Sequence, residues 1–233
     1  MSVHKRGRIF PWRGGNRFEL LLDGPVFFPR MLAAIEGALQ QVEIELYLIE
    51  DGRCSERLVD TLCRAAERGV AVRGLFDAYG AAGLGVALRE RMQAAGVQLR
   101  WYNPVRWRRG IRNFHRDHRK LLLVDQRLAY VGGTGSTDEF WLPDEPRSPW
   151  HEVMVEMEGP LVGDWQQLFE QLWLARFSWR PSHQPAALSL PECPPAGIGL
   201  GRVAYADAAQ HRDILLSLLR ALRGAKPVSY THL

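Results

Sequence analysis

Cysteine is nearly absent from this sequence. The three present, Cys54, Cys63 and Cys193, are odd in number and include no C-x-x-C pair, so neither a disulfide framework nor a zinc site is suggested, and a reducing compartment is expected. Long hydrophobic runs are missing too. No window approaches the roughly 18 uncharged apolar residues of a membrane span, and the basic opening MSVHKRGRIFPWRGGNRF lacks the continuous apolar stretch of a secretory signal. The expectation is a cytosolic protein, or one peripheral on the cytosolic face of a membrane. Nor does charge of one sign dominate: the formal net charge is +4 and the pI about 9.2. That excess favours anionic partners such as phospholipid surfaces, nucleic acid or phosphorylated substrates without choosing among them. What is present is 46% hydrophobic residues over 233 positions, enough for a well-buried core in one large domain, or one and a fraction.

The apolar pattern repeats in helix-then-strand units. PRMLAAIEGALQQ from Pro29 has helical spacing and leads into the strand-like VEIELYLI. SERLVDTLCRAAERG, with Ser55 as its expected cap and Gly69 as its stop, leads into VAVRGLF, and GVALRERMQAAG leads into VQLRWY. Such units predict an α/β fold with a mostly parallel sheet covered by helices on both faces. KLLLVD and RLAYVGG, parted by a short turn at Gln126 and Arg127, predict a hairpin. HEVMVEMEG reads as a further strand, and PLVGDWQQLFEQLWLARF, with Pro160 in its first turn, as a helix whose Trp165, Phe169, Leu172 and Trp173 stripe belongs in the core. Prolines crowd the segment that follows, and after it YADAAQHRDILLSLLRALRGAK repeats the spacing of the first helix. The expected division is a basic N-terminal segment over 1–17, a first domain over 18–180, a Pro-rich linker over 181–201 and the truncated start of a second copy over 202–233. The closing VSYTHL reads either as the translation of a sequencing-library adapter or as a polar tail. The N-terminal segment is either a solvated tail or a membrane contact through Phe10 and Trp12 with Arg6, Arg8 and Arg13.

HRDHRKLLLVDQRLAYVGGTGS, beginning at His115, carries the densest chemistry. His118 and Lys120 are two apart on an extended segment and so project from one face. A neutral imidazole beside a fixed ammonium suits a phosphate. His115, Asp117 and His151 are better read as flanking positions of a charged loop than as metal ligands. The segment RWYNPVRWRRGIRNFHR interleaves Arg100, Arg106, Arg108, Arg109, Arg112 and Arg116 with Trp101, Tyr102, Trp107 and Phe114. This loop either docks the headgroup region of an anionic bilayer, grips single-stranded nucleic acid, or is simply solvated.

His118, Lys120 and Asp125 fit H-x-K-x4-D, and Gly132, Gly133, Thr134 and Gly135 follow. Together with DGPVFFPRMLAAIEGA, ELYLIEDG, AAERGVAVRGLFDAYGA, VQLRWYNP and VEMEGPLVGDWQQLF, the motif closely resembles the phospholipase D superfamily, and within it the bacterial cardiolipin synthases of the B type. The resemblance covers roughly Trp12 to Trp179 plus the start of a second repeat. It implies a phospholipase D-like αβαβα sandwich, here one complete lobe with its H-K-D motif and the start of a second lobe.

By the same resemblance, His118 is the nucleophile that forms a phosphohistidine, Lys120 holds the non-bridging oxygens, and Glu152 is the carboxylate that fixes the His118 ring. Asp125 either supports the motif strand or takes part directly. Gly133, Gly135, Ser136 and Arg116 are the expected substrate contacts. The family's usual G-G-x-N asparagine is replaced by Gly135, for which Ser136, Thr134 or backbone N–H groups would have to substitute. No metal and no cofactor are implied. The implied reaction is phosphatidyl transfer to phosphatidylglycerol with release of a small alcohol such as glycerol, at the cytoplasmic face of the bacterial inner membrane. The implied partners are anionic phospholipids, the membrane surface and a second H-K-D lobe or a second chain; nucleic acid is not the expected partner. Two other readings stay open: a dimeric phosphodiesterase or nuclease of the same superfamily, and an inactive lipid-binding fragment.

Overall fold

The structure, a computed structural model, describes residues 10–143, 150–174, 193–205 and 212–224. Its elements run β1 (Arg13–Leu22), α1 (Gly24–Glu36), β2 (Gln41–Leu46), α2 (Arg53–Glu67), β3 (Ala71–Asp77), α3 (Val86–Ala94) and β4 (Gln98–Tyr102), then a 3-10 segment (Trp107–Phe114), β5 (Leu121–Val124), β6 (Leu128–Gly132), β7 (Val153–Glu158), α4 (Leu161–Leu174), β8 (Gly199–Gly201) and α5 (Arg212–Gly224). The strands form one eight-stranded sheet in the order β4-β3-β2-β5-β6-β7-β1-β8. Only β2–β3 and β3–β4 are parallel, while the pairings of β2 with β5, β5 with β6, β6 with β7, β7 with β1 and β1 with β8 are antiparallel. The expectation of a mostly parallel sheet is thus corrected to a mixed one. Helix-then-strand units fix parallel neighbours only where a helix crosses over, and from β5 onward tight turns and long excursions replace the crossovers.

Period-two alternation splits the buried residues between two cores. Val42, Ile44, Leu122, Val124 and Tyr130 face the side covered by α1, α2 and α3. Leu75, Leu121, Leu123, Ala129 and Met157 face the side covered by α4, where Phe169 and Trp173 pack. The α/β sandwich is therefore helices, sheet, helix.

Some local expectations need correction. Ser55 is not the cap of α2: Gly52 holds that position, and Ser55 lies buried with its hydroxyl donating to the Ser136 carbonyl at 2.8 Å. Gly69 does end the helix, at φ 88°, the left-handed position that glycine tolerates. The hairpin turn lies one residue earlier than expected: Asp125 and Gln126 take φ 50° and 54°, and the Arg127 N–H donates to the Val124 carbonyl at 3.0 Å. The 1–17 boundary also fails, because β1 begins inside it and Phe10 is buried in the second core. Arg6 and Arg8 lie outside the described residues. Within the expected linker, Cys193 is buried and β8 pairs with β1, so its last part belongs to the sheet; 181–192 are outside the described residues, as is VSYTHL. The repeated helix is α5, with Leu215, Leu218 and Leu222 each more than half exposed.

Candidate active site

The N-terminal end of β5, the C-terminal end of β6 and the N-terminal end of β7 meet at one edge of the sandwich, because β5 and β6 are joined by a tight turn at their other ends. This brings His118, Lys120, Gly133 and Glu152 together. The Lys120 ammonium lies 2.8 Å from His118 Nδ1 and 3.3 Å from Nε2, and donates to the His118 carbonyl at 2.9 Å. It therefore lies against the imidazole within reach of both ring nitrogens. The Tyr47 ring packs against both, its centroid 4.5 Å from that of His118 and 5.4 Å from Lys120 Nζ.

This packing sets the protonation states. Burial first, and then the Lys120 charge, lower the His118 pKa from its usual 6.5, which keeps the imidazole neutral and its lone pair available. Burial lowers Lys120 to about 8, opposed by the charges of Asp117 and Glu152. A cation and a neutral imidazole thus share one edge of the fold near neutral pH.

A second layer aims these side chains. Arg119, between them in sequence, points to the opposite face, where its Nε lies 2.6 Å from Glu45 Oε1 and 3.4 Å from Asp117 Oδ1. The Glu45 pair lacks hydrogen-bond alignment, and neither Glu45 oxygen nor Asp117 Oδ2 makes a hydrogen bond. Burial pushes the Glu45 carboxyl well above the usual carboxylate range, the Arg119 cation opposes this and the Asp117 charge adds to it; a proton retained there provides the donor that Asp117 can accept. Asp77, at the end of β3, accepts from the Asp117 N–H at 2.9 Å and from Arg116 at 3.2 Å. Residues 116, 117 and 119 are thus tied inward, which presents 118 and 120 together. Sequence reading missed Tyr47 and this buried network. The aromatic after the charged, alternating β2 is the visible trace of the first, whereas buried ion pairs leave no periodic signal.

The other expected site residues fall as follows. Asp125 is at the far end of β5, its carboxylate accepting from the backbone N–H groups of Leu39, Gln40 and Gln41 at 2.9, 2.7 and 2.9 Å. Seven residues of extended chain put it roughly 20 Å from His118, so of the two roles left open it is the support of the motif strand that the geometry allows. Glu152 is at the site but does not hydrogen-bond His118: its Oε1 accepts from the Val153 N–H at 2.8 Å, and its Oε2 lies 2.4 Å from where a Cβ on Gly133 would sit. Glycine at 133 is what admits that carboxylate. Arg116 is engaged by Asp77 and by the Asn103 carbonyl, which removes it from the free substrate contacts. Gly135 and Ser136 are corrected likewise. A Cβ at 135 would meet Leu48 Cβ and its carbonyl at 2.8 Å, so the backbone here excludes the usual asparagine. The Ser136 hydroxyl is buried 2.9 Å from that of Ser55, and the Thr134 hydroxyl donates to the Gly135 carbonyl at 2.9 Å; neither replaces the asparagine. His115, Asp117 and His151 do not converge, His151 pairing with Asp23 at 2.7 Å.

Residues 31–173 match the family model described as cardiolipin synthase, PLD-like domain. The chain belongs to the PLD-like cardiolipin synthase family. It is 33% identical over 209 residues to cardiolipin synthase B of Salmonella typhimurium, covering 87% of this chain and 49% of that protein. It is 29% identical over 226 residues to cardiolipin synthase A of Pseudomonas putida, covering 96% and 46% respectively. The chain therefore spans about half the length of these curated relatives. The same fold is seen in Nuc of Salmonella typhimurium, a phospholipase D family member, with a TM-score of 0.52 at 17% identity over 68% of this chain and 94% of that one. Phosphatidylserine synthase of Haemophilus influenzae shares it with a TM-score of 0.54 at 13% identity over 70% and 38%. No described helix of this synthase-family chain is long and apolar enough to cross a membrane.

Proposed function

We propose that this chain supplies half of the active site of a cardiolipin synthase, which transfers a phosphatidyl group to phosphatidylglycerol. The observation that carries the reading is the neutral His118 ring held in contact with the Lys120 ammonium at the meeting point of three strand ends. A His118 ring nitrogen donates its lone pair to the phosphorus of one phospholipid. The P–O bond to the headgroup breaks, and the departing alkoxide takes a proton and leaves as glycerol or another small alcohol. The hydroxyl of a phosphatidylglycerol then attacks the phosphohistidine, loses its proton, and the P–N bond breaks, restoring the imidazole and giving cardiolipin. Lys120 offsets charge on the non-bridging oxygens as each transition state develops. In this reading Glu152 accepts the imidazole N–H once Lys120 turns to the phosphate, the base-and-orienter arrangement of catalytic triads. The second motif comes from another lobe or a second chain, and the reaction belongs at the cytoplasmic face of the bacterial inner membrane.

The test is to express the gene's full reading frame and supply phosphatidylglycerol in mixed micelles. Cardiolipin and glycerol in equal amounts are expected, and replacing His118 by Ala should lower the rate at least a thousandfold, as for other covalent nucleophiles. Hydrolysis to phosphatidic acid without cardiolipin would reassign the protein to the phosphodiesterases, and no turnover to lipid binding alone.

A further inference from the structure

Seven arginines and not one carboxylate lie between Glu90 and Asp117. The end of that stretch forms an excursion between β4 and β5 that is closed by two amide clamps. At its base, the Asn103 side chain donates to the His115 carbonyl at 2.8 Å while Arg116 donates to the Asn103 carbonyl at 3.0 Å. Further out, the Asn113 side chain accepts from the Arg106 N–H at 3.1 Å and donates to the Arg106 carbonyl at 2.9 Å. Trp107 and Phe114 flank the outer clamp, 98% and 83% exposed, and Val105 is 57% exposed. The clamps hold these apolar side chains out instead of letting them fold back onto the sheet.

From this we infer that the Val105–Phe114 excursion is a membrane prong: Trp107, Phe114 and Val105 enter the interface of an anionic bilayer while Arg106 and Arg108 meet its phosphates. Three features select a lipid surface. Exposed indole and phenyl side chains on the clamped excursion match the headgroup boundary, where amphipathic aromatics partition. The uninterrupted arginine charge complements an anionic leaflet, and guanidinium forks bind phosphate oxygens in pairs. The base of the prong is bonded to His115 and Arg116, immediately before the His118 motif, so docking brings the lipid phosphates to the site. A single-stranded nucleic acid would instead call for aromatics lining a groove as a stacking platform, and side chains as exposed as Trp107 and Phe114 line none. The inference deepens the phospholipid reading and rests on it for the identity of the surface.

Vesicle co-sedimentation of the full chain tests it, using phosphatidylcholine vesicles with and without phosphatidylglycerol. Binding should require phosphatidylglycerol. The Trp107→Ala/Phe114→Ala variant should bind at least tenfold more weakly, and Arg106→Glu/Arg108→Glu should abolish the preference for the anionic vesicles. All four positions are exposed, so thermal melts should be unchanged. Undiminished binding by both variants would overturn the proposal. So would failure of the wild-type chain to bind vesicles while it retains a single-stranded oligonucleotide, or loss of self-association as the sole effect of the substitutions. The two readings fail separately: transfer in mixed micelles with prong-independent vesicle binding removes only the prong, and prong-dependent binding without transfer removes only the enzyme.

Discussion

Among the residues, Lys120 is the one whose charge the proposed transfer depends on most directly. Its pKa of about 8 means the ammonium is present below that pH and lost above it, while the lowered His118 pKa means the ring is neutral from below 6.5 upward. Both competent forms coexist between these limits. Phosphatidyl transfer by the full-length protein should therefore fall on the alkaline side with a midpoint near pH 8, well short of the ordinary lysine range, and its acid limb should lie below 6.5. A rate that keeps rising through pH 9.5 would show that the Lys120 charge is not needed. That His118 and Lys120 lie together was legible in the motif spacing, whereas the place of Glu152 and Gly133 beside them came only from the family resemblance. The network of Glu45, Asp77, Asp117 and Arg119 was not, since each of these reads in sequence as an ordinary charged residue, and only the sheet's strand order brings them behind the motif.

At the level of elements, the motif hairpin is held from its far end. The Asp125 carboxylate receives three N–H donors from the α1–β2 connection, so Asp125→Ala leaves them without their partner and should cost roughly 2 kcal/mol, read as a lower urea midpoint with the His118 titration in NMR spectra unchanged. A shifted His118 titration with unchanged stability would return Asp125 to the site. Gly135 makes the converse point. Restoring the family's asparagine by Gly135→Asn drives a Cβ against Leu48 and should destabilise the fold by about 1–3 kcal/mol; a more stable variant would mean that this turn is not packed as described. Helix-strand alternation found nearly every element, yet it overextended the parallel rule past β2, β3 and β4. It also put a cap at Ser55, where burial under the Gly133–Ser136 turn overrides capping preference. The first strand was missed as a strand because its basic start reads as tail, although Arg13 is bonded to Asp164 of α4 by two hydrogen bonds of 2.9 and 2.8 Å.

For the whole molecule, the family and the sandwich were legible because the motif is embedded in matches spread along the chain, not because of the motif alone. The lobe presents one imidazole, one cation and one carboxylate at a single edge, and an arginine-rich excursion rises beside them. The central claim is that His118 carries the phosphatidyl group. The most direct measurement is peptide mass spectrometry of the full-length protein mixed with phosphatidylglycerol and quenched in alkali, where a phosphohistidine survives and acid removes it. A phosphatidyl adduct on the peptide that contains His118, lost when Lys120 is replaced by Ala, is the expected result. An adduct confined to another residue, or turnover to cardiolipin with none on His118 at any quench time, would contradict it.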